Sequence, residues 1–342
     1  LPPEAKETMG NASVIGRNFH YCILSYITNL DSIDNAITTL ESGDFILKKN
    51  SSPHTSLVSI SGDDEKQFTI HNSQLSSDTE YMFKHALIRD VAYKGLLKKK
   101  RRKIHRKTAE YMEDIFREKI EDYYEVLGNH YYHAEVFEKS YDYYKKAGDD
   151  AKKLYLNNVA LGCYTKAIEI HKRILPYEKE KLAELYEKIG DVKVVKAEYD
   201  KACKDYKNAF HYYKAIEKKA GIRRKIGNIF FYKGEYDTAI SFYEETIEML
   251  KEHPSSLVLS ETRMHYAQLL FGGKSDYQAA ENMISQALAK IDEEKNPKIY
   301  AFGLNIIGNI FHFRSDYDRA LKYYQKTLEI YEELSNKRRI AA

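Results

Sequence analysis

The chain has 342 residues, with 54 Lys and Arg against 51 Asp and Glu, 43% hydrophobic and 31% charged. That length exceeds a single typical core, so two or more domains or one long repeat array are expected. A net charge of +3 spread through the chain gives no bulk-charge argument for a nucleic-acid or membrane partner, and 30 Tyr and 14 Phe against 6 Pro argue against extended disorder.

The first 50 residues read as three short helices, Glu4 to Ala12, His20 to Ile27 and Ile33 to Glu41, the last with Asp31 and Ser32 as N-caps. Phe45-Ile46-Leu47 and Tyr81-Met82-Phe83 then read as short strands. Between them lies a polar stretch containing Ser51, Ser52, Pro53, Gly62, Asp63 and Asp64, with further strand at Leu57 to Ile60 and Phe68 to Ile70. Three helices followed by a two-stranded wing predict a winged-helix-like domain over residues 1–97, its wing enlarged by an insertion. A long helix from Leu96 through Ile120, with 98–119 as the link, leads onward. Its start, Lys98-Lys99-Lys100-Arg101-Arg102-Lys103, raises a DNA-binding reading. Against this, the third helix offers no Lys or Arg to a groove and is flanked by Asp31, Asp34, Glu41 and Asp44. The basic run is read instead as an exposed helix start or a contact for an acidic partner domain.

From residue 120 onward the sequence repeats. Ile226-Gly227-Asn228-Ile229-Phe230 recurs as Ile307-Gly308-Asn309-Ile310-Phe311, and Tyr236-Asp237-Thr238-Ala239 as Tyr317-Asp318-Arg319-Ala320. In each unit a Gly is followed by Ala and then Tyr at fixed offsets: Gly227, Ala239, Tyr243 and Gly308, Ala320, Tyr324. Small residues allow two helices of a hairpin to approach closely, while aromatic ones fill the gap to the next hairpin. Leu127, Gly128, Tyr131, Ser140, Tyr144 and Ala147 form another unit; Ile189, Gly190, Ala202, Tyr206 and Ala209 a further one; Ala267, Leu270, Ala280, Ile284 and Ala287 one with an extra turn residue. Ala160, Tyr164 and Ala167 mark a degenerate unit, making about six over 120–342. Gly234-Glu235-Tyr236 and Gly272 to Tyr277 punctuate two hairpins, and Pro176, Pro254 and Pro297 separate units.

This pattern resembles the tetratricopeptide repeat family over roughly two thirds of the chain, departing from it in lacking Trp, whose place Tyr124 and Leu304 can take. The resemblance implies a mainly α fold: a right-handed α-solenoid of helix hairpins with a concave, protein- or peptide-binding surface. The preceding segment, Ala12 to Phe19, then Phe83-Lys84-His85-Ala86-Leu87-Ile88-Arg89-Asp90-Val91-Ala92-Tyr93 and Arg101-Arg102-Lys103-Ile104-His105-Arg106, resembles the region after the nucleotidase core in STAND-type signalling ATPases. Such regulators are often joined to adenylate cyclases, kinases or transcription factors. The resemblance implies a cytoplasmic signal-transduction fragment of a larger polypeptide, as the Leu1-Pro2-Pro3 start also suggests, with ATP or ADP on an upstream domain and an effector in the same polypeptide. His85 stands where the Met-His-Asp motif of related proteins has a His that reaches bound ADP, although Ala86 replaces the Asp. Nucleotide sensing by His85 is therefore implied. The alternative is a winged-helix transcription regulator with a tetratricopeptide sensor.

No catalytic residue is expected. Gly273-Lys274-Ser275 lacks the first glycine of a phosphate loop, since Gln268 stands there, and it falls in a repeat turn. His130 and His133, three apart on one helix, lack a further ligand at metal-site spacing and read as a packing or solvated pair. Cys22, Cys163 and Cys203 are far apart and suggest neither disulfide nor zinc. No stretch approaches the ~20 apolar residues of a membrane span. The expected peptide-binding residues line helix A of each unit: Asn129, Asn228 and Asn309 follow the repeat glycines, Arg224 precedes Asn228 by one turn, and the aromatic neighbours Phe231, Tyr232, His312 and Phe313 lie beyond. Asparagine amides there would pair with a peptide backbone and Arg224 with a carboxylate.

Overall fold

A computed structural model describes residues 1–28, 33–49, 56–58, 68–70, 79–174 and 178–340, with backbone alone at 56–58, 68–70 and 336–340. The expected caps Asp31 and Ser32, the polar residues from Ser51 to Pro53 and Gly62 to Asp64, and Pro176 lie outside the described residues. The chain forms two compact units, residues 1–176 and 177–342. No described helix is long and apolar enough to cross a membrane.

The first unit opens with α1 (Pro3–Ile15), β1 (Asn18–His20), α2 (Tyr21–Thr28) and α3 (Asp34–Ser42). Strands β2 (Ile46–Lys48) and β5 (Glu80–Phe83) join β1 in an antiparallel sheet of order β1-β5-β2, while β3 (Ser56–Val58) and β4 (Phe68–Ile70) pair separately. The expected helix start at His20 is instead the end of β1, which pairs Phe19 with Tyr81. Phe19 is 1% exposed and lies against the Tyr81 and Phe83 rings at 6.0 and 5.6 Å. Burying such a ring is worth about 2–3 kcal/mol and outweighs the weak helical preference of one turn. Leu24, Ile33, Leu40, Ile46 and Phe83 complete this core.

Two helices follow, a short one and then the long one expected from Leu96 through Ile120, which is shorter than expected at both ends. Gly95 ends α4 (Ala86–Gly95), Leu96 and Leu97 are extended, and α5 (Lys98–Ile115) starts anew. Helix α5 stops before Ile120 because Phe116 leaves helical geometry to stack on Tyr123 at 3.8 Å, both rings buried, around a tight 3-10 segment Arg117–Tyr123. A second apolar cluster of Ile23, Ala109, Met112, Leu127, Tyr131 and Tyr143 then fastens α2 and α5 to the helices that follow.

The repeats are α6 (Tyr124–His133), α7 (Phe137–Lys153) and α8 (Asn157–Ile174) in the first unit. The second unit holds α9 (Lys179–Val195), α10 (Tyr199–Tyr212), α11 (Ile216–Tyr232), α12 (Tyr236–Met249), α13 (Leu257–Gly273), α14 (Tyr277–Leu288), α15 (Pro297–Phe313) and α16 (Tyr317–Ile340). Six turns between consecutive helices each have a single left-handed residue, Glu135, Tyr155, Ala197, Gly234, Ser275 and Ser315; five share one hydrogen-bond geometry, and the Ser275 turn carries one extra residue, Asp276 N–H donating to Leu270 O at 2.9 Å. In the first of them Glu135 N–H donates to Tyr132 O at 3.1 Å and Val136 N–H to Tyr131 O at 2.9 Å, closing the helix end. Five of the six are not glycine, so the hairpin geometry is imposed by packing against a backbone preference of about 1 kcal/mol or more.

The packing behind it is regular. Ala160, Ala202, Ala239, Ala280 and Ala320 are all 2% exposed or less. In the first unit Ser140 replaces Ala and donates its hydroxyl to Gly128 O at 2.7 Å. A methyl group placed on Gly128, Gly148, Gly227 or Gly308 would meet the ring of Tyr144, Tyr164, Tyr243 or Tyr324 at 3.1, 2.5, 2.8 and 2.6 Å. The degenerate unit is resolved by Gly148: α7 presents Tyr144 to α6 and Gly148 to α8, so one helix serves two hairpins.

Candidate functional site

In the second unit α11 touches α13, α13 touches α15, and Lys225 bridges α11 to α9, which places the first helices of the four hairpins in one row. The residue after each repeat glycine has a constant role on this row. Tyr206 donates its hydroxyl to Asp191 at 2.9 Å, Tyr243 to Asn228 at 2.8 Å and Tyr324 to Asn309 at 2.8 Å. Tyr164 and Asp149 repeat the arrangement in the first unit at 2.7 Å. Each bond runs from the second helix of a hairpin to the first, and fixes the amide or carboxylate on the helix surface. Asn228 and Asn309, both half-buried, are therefore anchored through Oδ1, and Nδ2 is the group each has for donation. One Nδ2 hydrogen of Asn309 is directed to Asn305 Oδ1 at 3.3 Å.

Arg224 is placed differently from expectation. Its side chain is 13% exposed and its guanidinium pairs with Glu261 of α13 at 2.9 Å, so its carboxylate partner is internal. Lys225 pairs with Glu187 at 2.7 Å and Asp191 at 2.6 Å; burial disfavours its charge, but the two carboxylates outweigh this and hold its pKa up. His265 of α13 is kept neutral, its pKa lowered to about 3 by burial and then by Arg224, against a hydrogen bond with Gln268. Its ring lies 5.3 Å from Phe302 of α15. The row is thus cross-linked by charge and studded with carboxamides, Asn228, Gln268, Asn305 and Asn309, on three adjacent helices.

Of the expected aromatic residues, Phe231 is half-buried, packed among Ala239, Tyr243 and Leu269, and serves the hairpin interface. Tyr232 is 53% exposed and stacks on Tyr199 at 6.2 Å. His312 is exposed, edge-on to Phe313 and Tyr317. Val195, Tyr232 and Phe313, all exposed at the ends of α9, α11 and α15, form an apolar rim of which the sequence announces Tyr232 and Phe313 but not Val195. Asp191 and Gln268 were also missed, although both occupy the register of Asn228. Asn129 lies half-buried on α6 of the first unit, beside Gly128.

His85 is exposed immediately before α4, in extended conformation, and α4 carries Leu87 and Val91 at 73% and 64% exposure. The basic run of α5 is partly paired, Lys100 with Glu7 at 2.7 Å, and Lys98 and Arg102 with Glu135 at 3.3 and 2.8 Å. Gly273 closes α13 and Ser275 is the left-handed turn residue, with Lys274 paired to Asp237 at 2.7 Å. Among the described residues no group of three or more His, Cys, Asp or Glu is arranged to hold a metal ion. A cleft of about 700 Å³ beside α16 is lined by Asp292, Glu293, Glu294, Pro297, Ile330, Glu333 and Leu334.

Residues 304–338, which span most of α15 and α16, match the tetratricopeptide repeat family model. No curated protein matches the sequence. Among solved structures, the Rap conjugation gene regulator of plasmid pLS20, in complex with the Phr peptide, is 14% identical with a TM-score of 0.53, covering 61% of this chain and 56% of its own. A STAND protein with a tetratricopeptide repeat sensor from Pyrococcus horikoshii is 12% identical with a TM-score of 0.50, covering 98% of this chain and 45% of its own. The chain thus spans about half of either protein. At these identities the likeness establishes the fold, a mostly helical array of tetratricopeptide-type hairpins.

Proposed function

We propose that this chain is the interaction and regulatory part of a larger cytoplasmic signalling ATPase or cyclase-type regulator, capturing a protein or peptide on the first-helix row of its repeats. The observation that carries the reading is the anchored ladder: Asn228 and Asn309 held through Oδ1 by Tyr243 and Tyr324, which leaves Nδ2 as the donor of each amide. Amides fixed in this way lose little entropy on binding and pair with backbone carbonyls of an extended ligand without demanding one sequence. Tyr232 and Phe313 flank them with apolar surface, and His312 adds a ring edge. Asn129 belongs to the corresponding register in the first unit, and Arg224 contributes by fixing α11 to α13 through Glu261. That one similar protein was solved with a peptide and another carries a tetratricopeptide sensor supports the same class of function.

In this reading residues 1–97 act as the winged-helix-like element, 98–119 as the link and 120–342 as a right-handed solenoid sensor. ATP or ADP belongs to an upstream domain, docked on the surface around His85, and no catalytic group is assigned to this chain. The DNA-binding alternative is disfavoured by α3, which has no Lys or Arg, and by the ion pairs that occupy Lys98, Lys100 and Arg102. A photo-crosslinking phenylalanine analogue in place of Tyr232 should label bound peptide, whereas the same group in place of Leu328, exposed on α16, should not. Equal labelling at both positions, or labelling at Leu328 alone, would place the ligand elsewhere.

A further inference from the structure

The sequence pairs His130 with His133; the structure adds a third imidazole from another helix. His105 of α5 is 4% exposed and His130 of α6 is 2% exposed, and their Nδ1 atoms are 3.0 Å apart. His105 Nε2 lies 3.0 Å from the Tyr93 hydroxyl of α4, and the His133 ring stacks on His105 with centroids at 4.8 Å. One short chain of hydrogen bonds therefore ties α4, α5 and α6 together.

We propose that the His105–His130 contact, with His133 and Tyr93, is an acid-operated latch that holds α4 and the start of α5 on α6 at neutral pH and opens on acidification. An Nδ1 to Nδ1 hydrogen bond needs one N–H and one lone pair. With both rings neutral, one proton lies between the two nitrogens and the chain to Tyr93 is complete in either direction. A first added proton on His105 keeps both bonds but buries a cation. A second, on His130, destroys the lone pair and leaves two N–H groups opposed.

Among the described residues, the groups that act most strongly on the cluster do not compensate that charge. The groups acting on the cluster are Arg89 from α4, Arg101 from α5, His130 and His133 from α6, and Lys166 from α8. The Tyr93 ring lies under the Arg101 guanidinium, 4.8 Å from the ring centre. Glu135, just past α6, is already taken by Lys98 and Arg102. Burial, then the neighbouring histidines and cations, drives His105 far below the ordinary imidazole value; burial and then His133 lower His130 to about 4. Because both are bases with depressed folded pKa, their contribution is complete above the unfolded value of about 6.5 and is lost as pH falls toward the folded value. Opening stays local because the cluster of Ile23, Ala109, Met112, Leu127 and Tyr143 holds the rest of α5 and α6 without an ionisable group in this range. The released part includes α4, which carries Leu87 and Val91 on its exposed side, and His85 immediately before it.

The test combines a wild-type titration with a non-titrating variant of the full chain. Imidazole resonances of His105 and His130 should remain neutral well below the exposed histidines. Amide hydrogen exchange in residues 86–105, corrected for intrinsic rate, should rise at least about tenfold between about pH 7.5 and about pH 4.5. In His105→Leu with His130→Leu, which fills the same space without a proton, that rise should vanish while the repeats stay folded. An unchanged exchange rate in wild type, an equal rise in the double variant, or ordinary titration of both rings would overturn the latch. Should the variant fail to fold, the wild-type titration and exchange profile decide the matter alone.

Discussion

The shared use of α7 can be tested by adding a single methyl group in two places of one hairpin. At Gly148 the added carbon would lie 2.5, 2.7 and 3.1 Å from three ring atoms of Tyr164, well inside ordinary contact. That ring cannot swing away, because it is fully buried and its hydroxyl is held by Asp149 at 2.7 Å. Overpacking of this kind costs about 1–3 kcal/mol, against about 1 kcal/mol gained from replacing a helical glycine by alanine. Gly148→Ala should therefore lose up to about 2 kcal/mol net. Gly162, on α8 of the same hairpin, has nothing within 4 Å of the added carbon, and Gly162→Ala should gain about 1 kcal/mol. Repeat arrays need not unfold in one step, so the readout is native-state hydrogen exchange in α7 and α8 together with the far-UV melt. Adding Tyr164→Leu to Gly148→Ala should recover part of the loss by removing the clashing ring. A Gly148→Ala variant as stable as Gly162→Ala would refute the account of α7 as a helix with two hairpin faces.

Ala197 adopts φ 57° in its turn, so Ala197→Gly should stabilise α9 and α10 by about 0.5–1 kcal/mol, net of the extra unfolded-state freedom, measurable in urea titrations. Tyr206→Phe removes the donor to Asp191 and should cost about 1 kcal/mol with little change in the fold, seen as faster exchange across α9 and α10. Lys225→Met leaves Glu187 and Asp191 facing each other without their cation, and a loss of about 1–3 kcal/mol is expected in the same assay; a neutral result would mean that the ion pairs merely decorate the row.

The repeat register was legible because it is local: Gly, then a small residue, then Tyr, at helical spacings that recur. Gly148 escaped notice because the first hairpin's own markers, Tyr144 and Ala147, stand immediately before it, and one helix carrying two registers looks like one. Strand β1 is only three residues long and exists through Phe19 facing Tyr81, a pairing across more than half the first domain that no local pattern announces. The ladder asparagines were found from the repeat alone, but their anchoring needed the tyrosine on the following helix. The partner of Arg224 was hidden for the same reason, since Glu261 is 37 residues away and only the stacking of α11 on α13 brings it within reach. Likewise the spacing of His130 and His133 is a same-helix fact, whereas His105 reaches them from a different helix.

The ladder itself offers the most direct test, because the chain contains its own control. Asp149 and Asp191 hold the position of Asn228 and Asn309 and accept the same tyrosine bond. Asn228→Asp with Asn309→Asp therefore keeps the anchor while replacing both Nδ2 donors, including the one Asn309 directs to Asn305, by carboxylate oxygens. Anisotropy of a library of short labelled peptides against the full chain should show the best wild-type ligands weakened by about 10- to 100-fold, on the order of 1 kcal/mol for each lost hydrogen bond, with an unchanged melt. Undiminished affinity in the double variant, or no peptide binding by the wild-type chain, would contradict the proposal that this row of helices reads a peptide backbone.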